Sequence, residues 1–282
     1  MRKINIGAGS NWKEKGWEIL DNGTGSFKET WKHKGKVWEN NLKKNAYDIV
    51  LTSHMLEHIP HFRLEKTISE FNRILKIGGT LRILVPSLKK AVDAYQKGDK
   101  SFFSSSSHYS DHMGIGASFV RVLISPGQQT IAISRELDEI LGGYAHLNCF
   151  DFEMLSTVLK KWGFGNIVES EPGKSKLKSL KKMQYLRCDG NEYDMKDDFV
   201  LSKSFLKSGK EWSYGGFDKS SSRQLIVEAK KVKHVCYSLS KEYEFHKGYR
   251  FNDPLMKIKL FIFKYISYCI DIMYKSFKFF KK

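Results

Sequence analysis

The sequence predicts an α/β fold, a doubly wound and mostly parallel sheet. Three observations carry this expectation. Lys3–Ile6 is a short apolar run that stops at Gly7-Ala8-Gly9. Trp17-Glu18-Ile19-Leu20-Asp21 is a second run, and it closes on an acid. Tyr47–Thr52 is rich in β-branched residues, and a helical spacing follows it in Leu64, Ile68, Phe71, Ile74 and Leu75. Strands that alternate with helices through short links form parallel sheets with crossover connections.

Each element can be justified in turn. Glycines at 7 and 9 let the backbone turn sharply after the first strand. Asp21 ends the second strand before Asn22-Gly23. Gly78-Gly79 is predicted to stop the helix through a left-handed C-cap. Thr80–Val85 is the next strand, ended by Pro86. Residues 93–145 are irregular, with a serine run at 104–107 and scattered glycines, and read as a cap or lid. Asp151–Trp162 is helical, with Phe152, Leu155, Val158 and Leu159 on one face. The strand Asn166–Glu169 follows. Residues 174–222 are rich in Lys, Ser and Gly and read as a long surface insertion in a domain spanning 1–233. Gln224–Ala229 is the last strand, and 234–282 is a basic amphipathic extension.

Composition bounds the function. A chain of 282 residues with 41% hydrophobic content is not a disordered polymer. The net charge is +17, and the segment from Ala229 onward carries +9 of it. Such a balance draws anionic partners: phosphate, acidic glycan, nucleic acid or a membrane surface. The cysteines at 149, 188, 236 and 269 form no C-x-x-C pair, so reduced thiols are expected. No secretory h-region opens the sequence, and no spanning apolar run is seen. A cytoplasmic location is therefore expected.

A glycine turn after a strand, followed by an acid closing the next, is the pattern of a nucleotide site. The bare backbone can approach a ligand, and the carboxylate can accept from a ribose diol. A dinucleotide dehydrogenase fits poorly. Trp12 stands where a third glycine belongs, and Asp21 follows Gly9 by only 12 residues, where about 20 is usual.

Taken together, several segments resemble the class I S-adenosylmethionine-dependent methyltransferases, in particular small bacterial members with a shortened first helix. These are Ile4–Gly9, Gly16–Asp21, Tyr47–Val50 with His54–Pro60, Arg73–Ile83, and His146–Phe150 with Trp162-Gly163-Phe164. The resemblance implies a Rossmann-like sheet of about seven strands with one antiparallel strand near the C-terminal end. It implies S-adenosylmethionine as cofactor. Asn5, Gly7, Ala8 and Gly9 would pass beside its methionine part, and Asp21 would hold the ribose. Glu39 and Asn40 would lie near the adenine. Ser53, His54 and Met55 would line the pocket.

Methyl transfer to a hydroxyl needs a base, and an imidazole titrates in the right range. His54 is the first candidate, with His108, His112 and His146 as alternatives. His54-x-x-Glu57-His58 also resembles an E-x-x-E-H segment that holds a divalent cation in quinone-pathway O-methyltransferases. With a histidine in place of the first acid, no metal is expected, and Glu57 and His58 are the residues that would hold one.

The acceptor is read as a small molecule or saccharide, with lipid-linked surface glycans favoured. Alternatives are RNA or protein methylation, with nucleic acid as partner, and a catalytically degenerate scaffold at the membrane. The N-P-P-Y tetrapeptide of enzymes that methylate exocyclic base nitrogens is missing. Residues 255–282 carry a lysine stripe beside aliphatic and aromatic faces, a pattern suited to an anionic membrane surface at the cytoplasmic side.

Overall fold

The computed structural model describes residues 1–9, 11–22, 33–103, 114–124, 146–188, 190–194, 212–218 and 223–237. His108, His112 and the basic stretch 255–282 lie outside the described residues.

The main sheet has seven strands: β1 (Lys3–Ile6), β2 (Glu18–Asp21), β3 (His33–Lys34), β4 (Tyr47–Ser53), β5 (Leu75–Pro86), β6 (Phe164–Ser170) and β10 (Gln224–Lys231). Their order is β3-β2-β1-β4-β5-β10-β6. The pairs from β3 across to β5 are parallel. β10 runs antiparallel to both β5 and β6. The expected Rossmann-like sheet with one antiparallel strand near the C-terminal end is therefore present. The strand order reverses direction at β1 and β4, so the crevice beyond their carboxyl ends is the topological switch point.

Side chains alternate across each strand, and the two faces collect separate cores. Ile4, Ile6, Val50, Leu81, Ile83, Val85, Leu225 and Val227 meet two helices, α1 (His61–Ile74) and α5 (Phe152–Lys161). The helices bury Leu64, Ile68, Phe71, Leu155 and Leu159 there. Asp151 caps α5 by accepting from Met154 N at 2.8 Å. Gly78 does not cap α1, contrary to the sequence expectation. Leu75 turns extended directly after Ile74, and the chain enters β5 at once. Gly78, with φ +77°, and Gly79 sit instead in an irregularity of β5, where the pairing with β4 shifts register between Tyr47 and Ile49.

The opposite face holds Ile19, Ile49, Leu51, Leu84 and Ile226. The segment expected as a surface insertion covers it. Its strands β7 (Tyr185–Cys188), β8 (Asn191–Asp194) and β9 (Trp212–Gly215) form a small antiparallel sheet in the order β8-β7-β9. Leu180 and Phe217 from the same segment are buried against the main sheet with Trp12. Arg82 of β5 joins the layers. It is fully buried and reaches Asp218 of the insertion at 2.5 Å and Glu228 of β10 at 2.5 Å. Polar composition concealed this role, because the contacts to the main sheet come from a few apolar residues and one buried ion pair.

Between the two regions lie α2 (Leu88–Gln96), α3 (Lys100–Phe103) and α4 (Gly114–Leu123). Tyr95 and Phe119 stack at 4.8 Å between ring centres. This part of the expected cap is helical.

Candidate active site

The site is built on the carboxyl ends of β1, β2 and β4. Gly7 and Gly9 take φ +71° and +73°, a left-handed backbone that favours glycine. Gly7 N donates to Leu20 O at 2.9 Å, which ties the turn to β2. Gly9 N donates to Asp21 Oδ2 at 3.0 Å. The acid that closes β2 thus faces the glycine turn, as the sequence pattern requires. A side chain at Gly7 would collide with Met55 Cγ, so Met55 packs directly on the turn. Asn5 is buried within β1, on the face that the insertion covers, and its Oδ1 has no hydrogen-bond partner among the described residues.

Ser53 is the last residue of β4, and His54 follows it. His54 N donates to Leu84 O at 2.9 Å. His54 itself has φ +52°, rare for a residue with a side chain and costing about 1 kcal/mol or more. The strained backbone sets the imidazole beside Glu57, with Nδ1 3.0 Å from Oε1. Glu57 sits in a short 3₁₀ turn, Leu56–His58, and is completely buried. Among the described residues neither of its oxygens has a hydrogen-bond partner, and the His54 contact is an ion pair. Burial opposes its charge, but the neighbouring imidazoles, His54 foremost and then His58 and His146, outweigh burial and hold the carboxyl below its ordinary range.

His146 arrives from a distant part of the chain. Leu147 N donates to Glu57 O at 2.7 Å and fixes the approach. The His146 and His58 rings meet edge to face at 5.0 Å. His146 Nδ1 donates to Val122 O of α4 at 2.9 Å. Glu57, His58 and His146 bring ligand atoms within 4.8 Å of one another, a donor set suited to a divalent cation such as zinc.

The structure therefore gathers Gly7, Ala8, Gly9, Asp21 and Met55 at one turn. It groups His54, Glu57, His58 and His146 beside β4. It does not bring Asn40 to either group. Asn40 Nδ2 donates to Glu70 Oε2 at 2.9 Å, and Arg73 donates to Asn40 Oδ1 at 3.0 Å. Those partners belong to the C-terminal part of α1, which leads into the amino end of β5. Glu39 closes a turn onto Lys36 O at 3.1 Å.

Two participants escaped the sequence reading. Glu57 was legible only as a weak metal ligand, whereas here it braces His54. Tyr214 of β9 reaches the glycine turn and donates from its hydroxyl to Ala8 O at 2.7 Å. The only sequence signal for it is the alternation Trp212-Ser213-Tyr214 in a polar stretch.

Residues 27–83 match the methyltransferase domain family. Among curated proteins, none matches. Solved structures give distant likenesses. An S-adenosylmethionine-dependent methyltransferase of Thermotoga maritima, a possible histamine N-methyltransferase, is 13% identical over 82% of this chain and 81% of its own, with TM-score 0.37. An S-adenosylmethionine-dependent methyltransferase of Archaeoglobus fulgidus is 16% identical over 82% and 86%, with TM-score 0.39. A phosphoethanolamine N-methyltransferase of Haemonchus contortus is 16% identical over 60% of this chain and only 34% of its own, with TM-score 0.34. The motifs read from the sequence and the match over residues 27–83 point the same way, to a methyltransferase domain.

Proposed function

We propose that this chain transfers a methyl group from S-adenosylmethionine to a hydroxyl of a small or saccharide acceptor, with lipid-linked surface glycans as the favoured class. One observation carries the reading. The Gly7–Gly9 turn, closed by Asp21, and the Glu57-braced His54 stand at the ends of β1 and β4, on either side of the switch-point crevice.

The residues fit the adenosyl group in kind: a bare backbone turn, a carboxylate aimed at that turn, and a polar strand end opposite. When bound, S-adenosylmethionine supplies a methyl already activated on a sulfonium, so the protein's task is mainly positioning. Asp21 and the Gly7–Gly9 backbone would hold the adenosyl and methionine parts. Glu57 fixes the His54 ring through Nδ1, which leaves Nε2 to take the acceptor's hydroxyl proton. Nε2 is shielded from solvent in this state, so the acceptor must displace what covers it. The charge of Glu57 favours the imidazolium that forms.

Calorimetric titration with S-adenosylmethionine tests the cofactor. Wild type should bind, and Asp21→Ala should bind at least tenfold more weakly. Absence of binding at millimolar ligand refutes the enzyme reading and leaves the scaffold alternative. For the base, His54→Gln should cut turnover about 10²- to 10⁴-fold while cofactor binding holds. An unchanged turnover would transfer the role to His146. For the acceptor, turnover on lipid-linked saccharides supports the reading. Binding to RNA that falls steeply with salt would favour nucleic acid instead. Deleting 255–282 should abolish flotation with anionic liposomes, and a truncated protein that still floats would remove the tail from the account.

A further inference from the structure

No helix follows the glycine turn among the described residues: β1 leads through 11–17 into β2 without one. Nucleotide sites commonly use the amides of such a helix to fix the turn and face the ligand. Here the insertion takes the place. Lys13 N donates to Tyr214 O at 2.8 Å, and Tyr214 N donates to Asn11 O at 3.0 Å. The segment after the turn is thus joined to β9 by a single parallel bridge, Trp12 to Tyr214. Glu14 reinforces the docking by accepting from Gly216 N at 3.0 Å.

The pairing sets the Tyr214 phenol on the Ala8–Gly9 peptide. Its hydroxyl donates to Ala8 O at 2.7 Å. A Cβ at Gly9 would stand 3.0 Å from that hydroxyl, so the glycine is also what admits the ring. The turn is consequently gripped from two sides, at the Gly9 amide by Asp21 and at the Ala8 carbonyl by Tyr214. Burial and the Asp21 carboxylate push the tyrosine hydroxyl up to about 12, so it remains a donor across the working range.

We propose that β9 of the insertion is a wall of the cofactor site and that Tyr214 is its positioning residue, holding the glycine turn in the shape that binds S-adenosylmethionine. The proposal rests on the cofactor reading above. It makes docking of the insertion and binding of the cofactor one coupled equilibrium. Ligand binding should steady β9, and loosening β9 should weaken the ligand.

Tyr214→Phe is the direct test, since it keeps the ring and the backbone pairs and deletes one hydroxyl. Two readouts are needed on the full chain: calorimetric affinity for S-adenosylmethionine, and amide hydrogen exchange with and without it. Wild type should show slowed exchange over 212–216 on binding. The variant should keep its unfolding midpoint, exchange faster at the Ala8–Gly9 turn even without ligand, and bind about tenfold more weakly, the size of one hydrogen bond. Equal affinity overturns the proposal. So does tighter binding, which would make Tyr214 a plug. If wild type itself fails to bind, the cofactor reading fails, while the unliganded exchange comparison still decides whether Tyr214 holds the turn. Should Tyr214→Phe not fold, Glu14→Ala loosens the docking without touching the turn. It should lower affinity severalfold, and unchanged affinity counts against the coupling.

Discussion

Under α1 and α5 the main sheet is held mainly by apolar side chains: Leu64, Ile68, Phe71, Leu155 and Leu159 settle on Ile4, Val50 and Ile83. The opposite face is held by fewer apolar residues, Leu180 and Phe217 among them, and by the buried Arg82–Asp218–Glu228 network. The first covering is tolerant, because hydrophobic packing has no direction and neighbours relax around a change. The second depends on one geometry, because a buried guanidinium that loses a partner leaves a charge with nowhere to go. Among the described residues the insertion reaches the glycine turn through Tyr214, and the core of the helical face reaches it through Met55. The helical face should govern mainly stability, and the insertion face should govern stability and ligand binding together.

The largest expected effect breaks the insertion face at its ion pair. Arg82→Met strands two carboxylates in the interior and should lower unfolding free energy by about 3–5 kcal/mol in a urea titration. A loss under about 1 kcal/mol would mean that the network is dispensable.

A matched pair of cavities sharpens the contrast. Leu159→Ala on the helical face and Phe217→Ala on the insertion face should each cost about 2–5 kcal/mol. Calorimetry at a temperature where both stay folded should show near wild-type cofactor affinity for Leu159→Ala and weaker affinity for Phe217→Ala. Equal affinities would dissolve the distinction between the faces.

A pH experiment probes the far end of the helical side. Lys231 of β10 is buried, with Nζ donating to Asn45 Oδ1 and Leu75 O, each at 2.8 Å. Burial, helped by Lys44, pushes its ammonium down to about 8. The unfolded chain binds that proton up to about 10.5, so between these values it holds more protons than the native state. Stability should therefore rise from pH 8 toward pH 10, as the cost of burying the charge disappears. Lys231→Met should flatten this rise in thermal melts followed across the window.

The smallest effect lies at a helix end. Asp151→Ala removes the cap of α5 and should cost about 1 kcal/mol. Ligand affinity should not change, since α5 covers the face away from the turn.

Much of this architecture is legible in the sequence. Lys3–Ile6, Glu18–Asp21 and Tyr47–Ser53 announce themselves by apolar runs ended by glycine or polar residues, and α1 and α5 by a spacing that matches a helical face. Gly7, Gly9 and Asp21 were legible too, because a turn without side chains and an acid closing the next strand are local demands on neighbouring residues. Gly78-Gly79 misled: glycine permits both a helix cap and a strand irregularity, and the pairing with β4 made the choice.

The sequence alone determined most strands of the main sheet, the helices α1 and α5, and the glycine turn with its closing acid, since these are written in residues close along the chain. Tertiary structure alone decided that His146 would join Glu57 and His58. It also decided that a lysine-rich insertion would cover the sheet and lay Tyr214 on Ala8. Those contacts join residues far apart in the chain. Only closure of the whole sheet makes them neighbours, and no local periodicity encodes such a meeting.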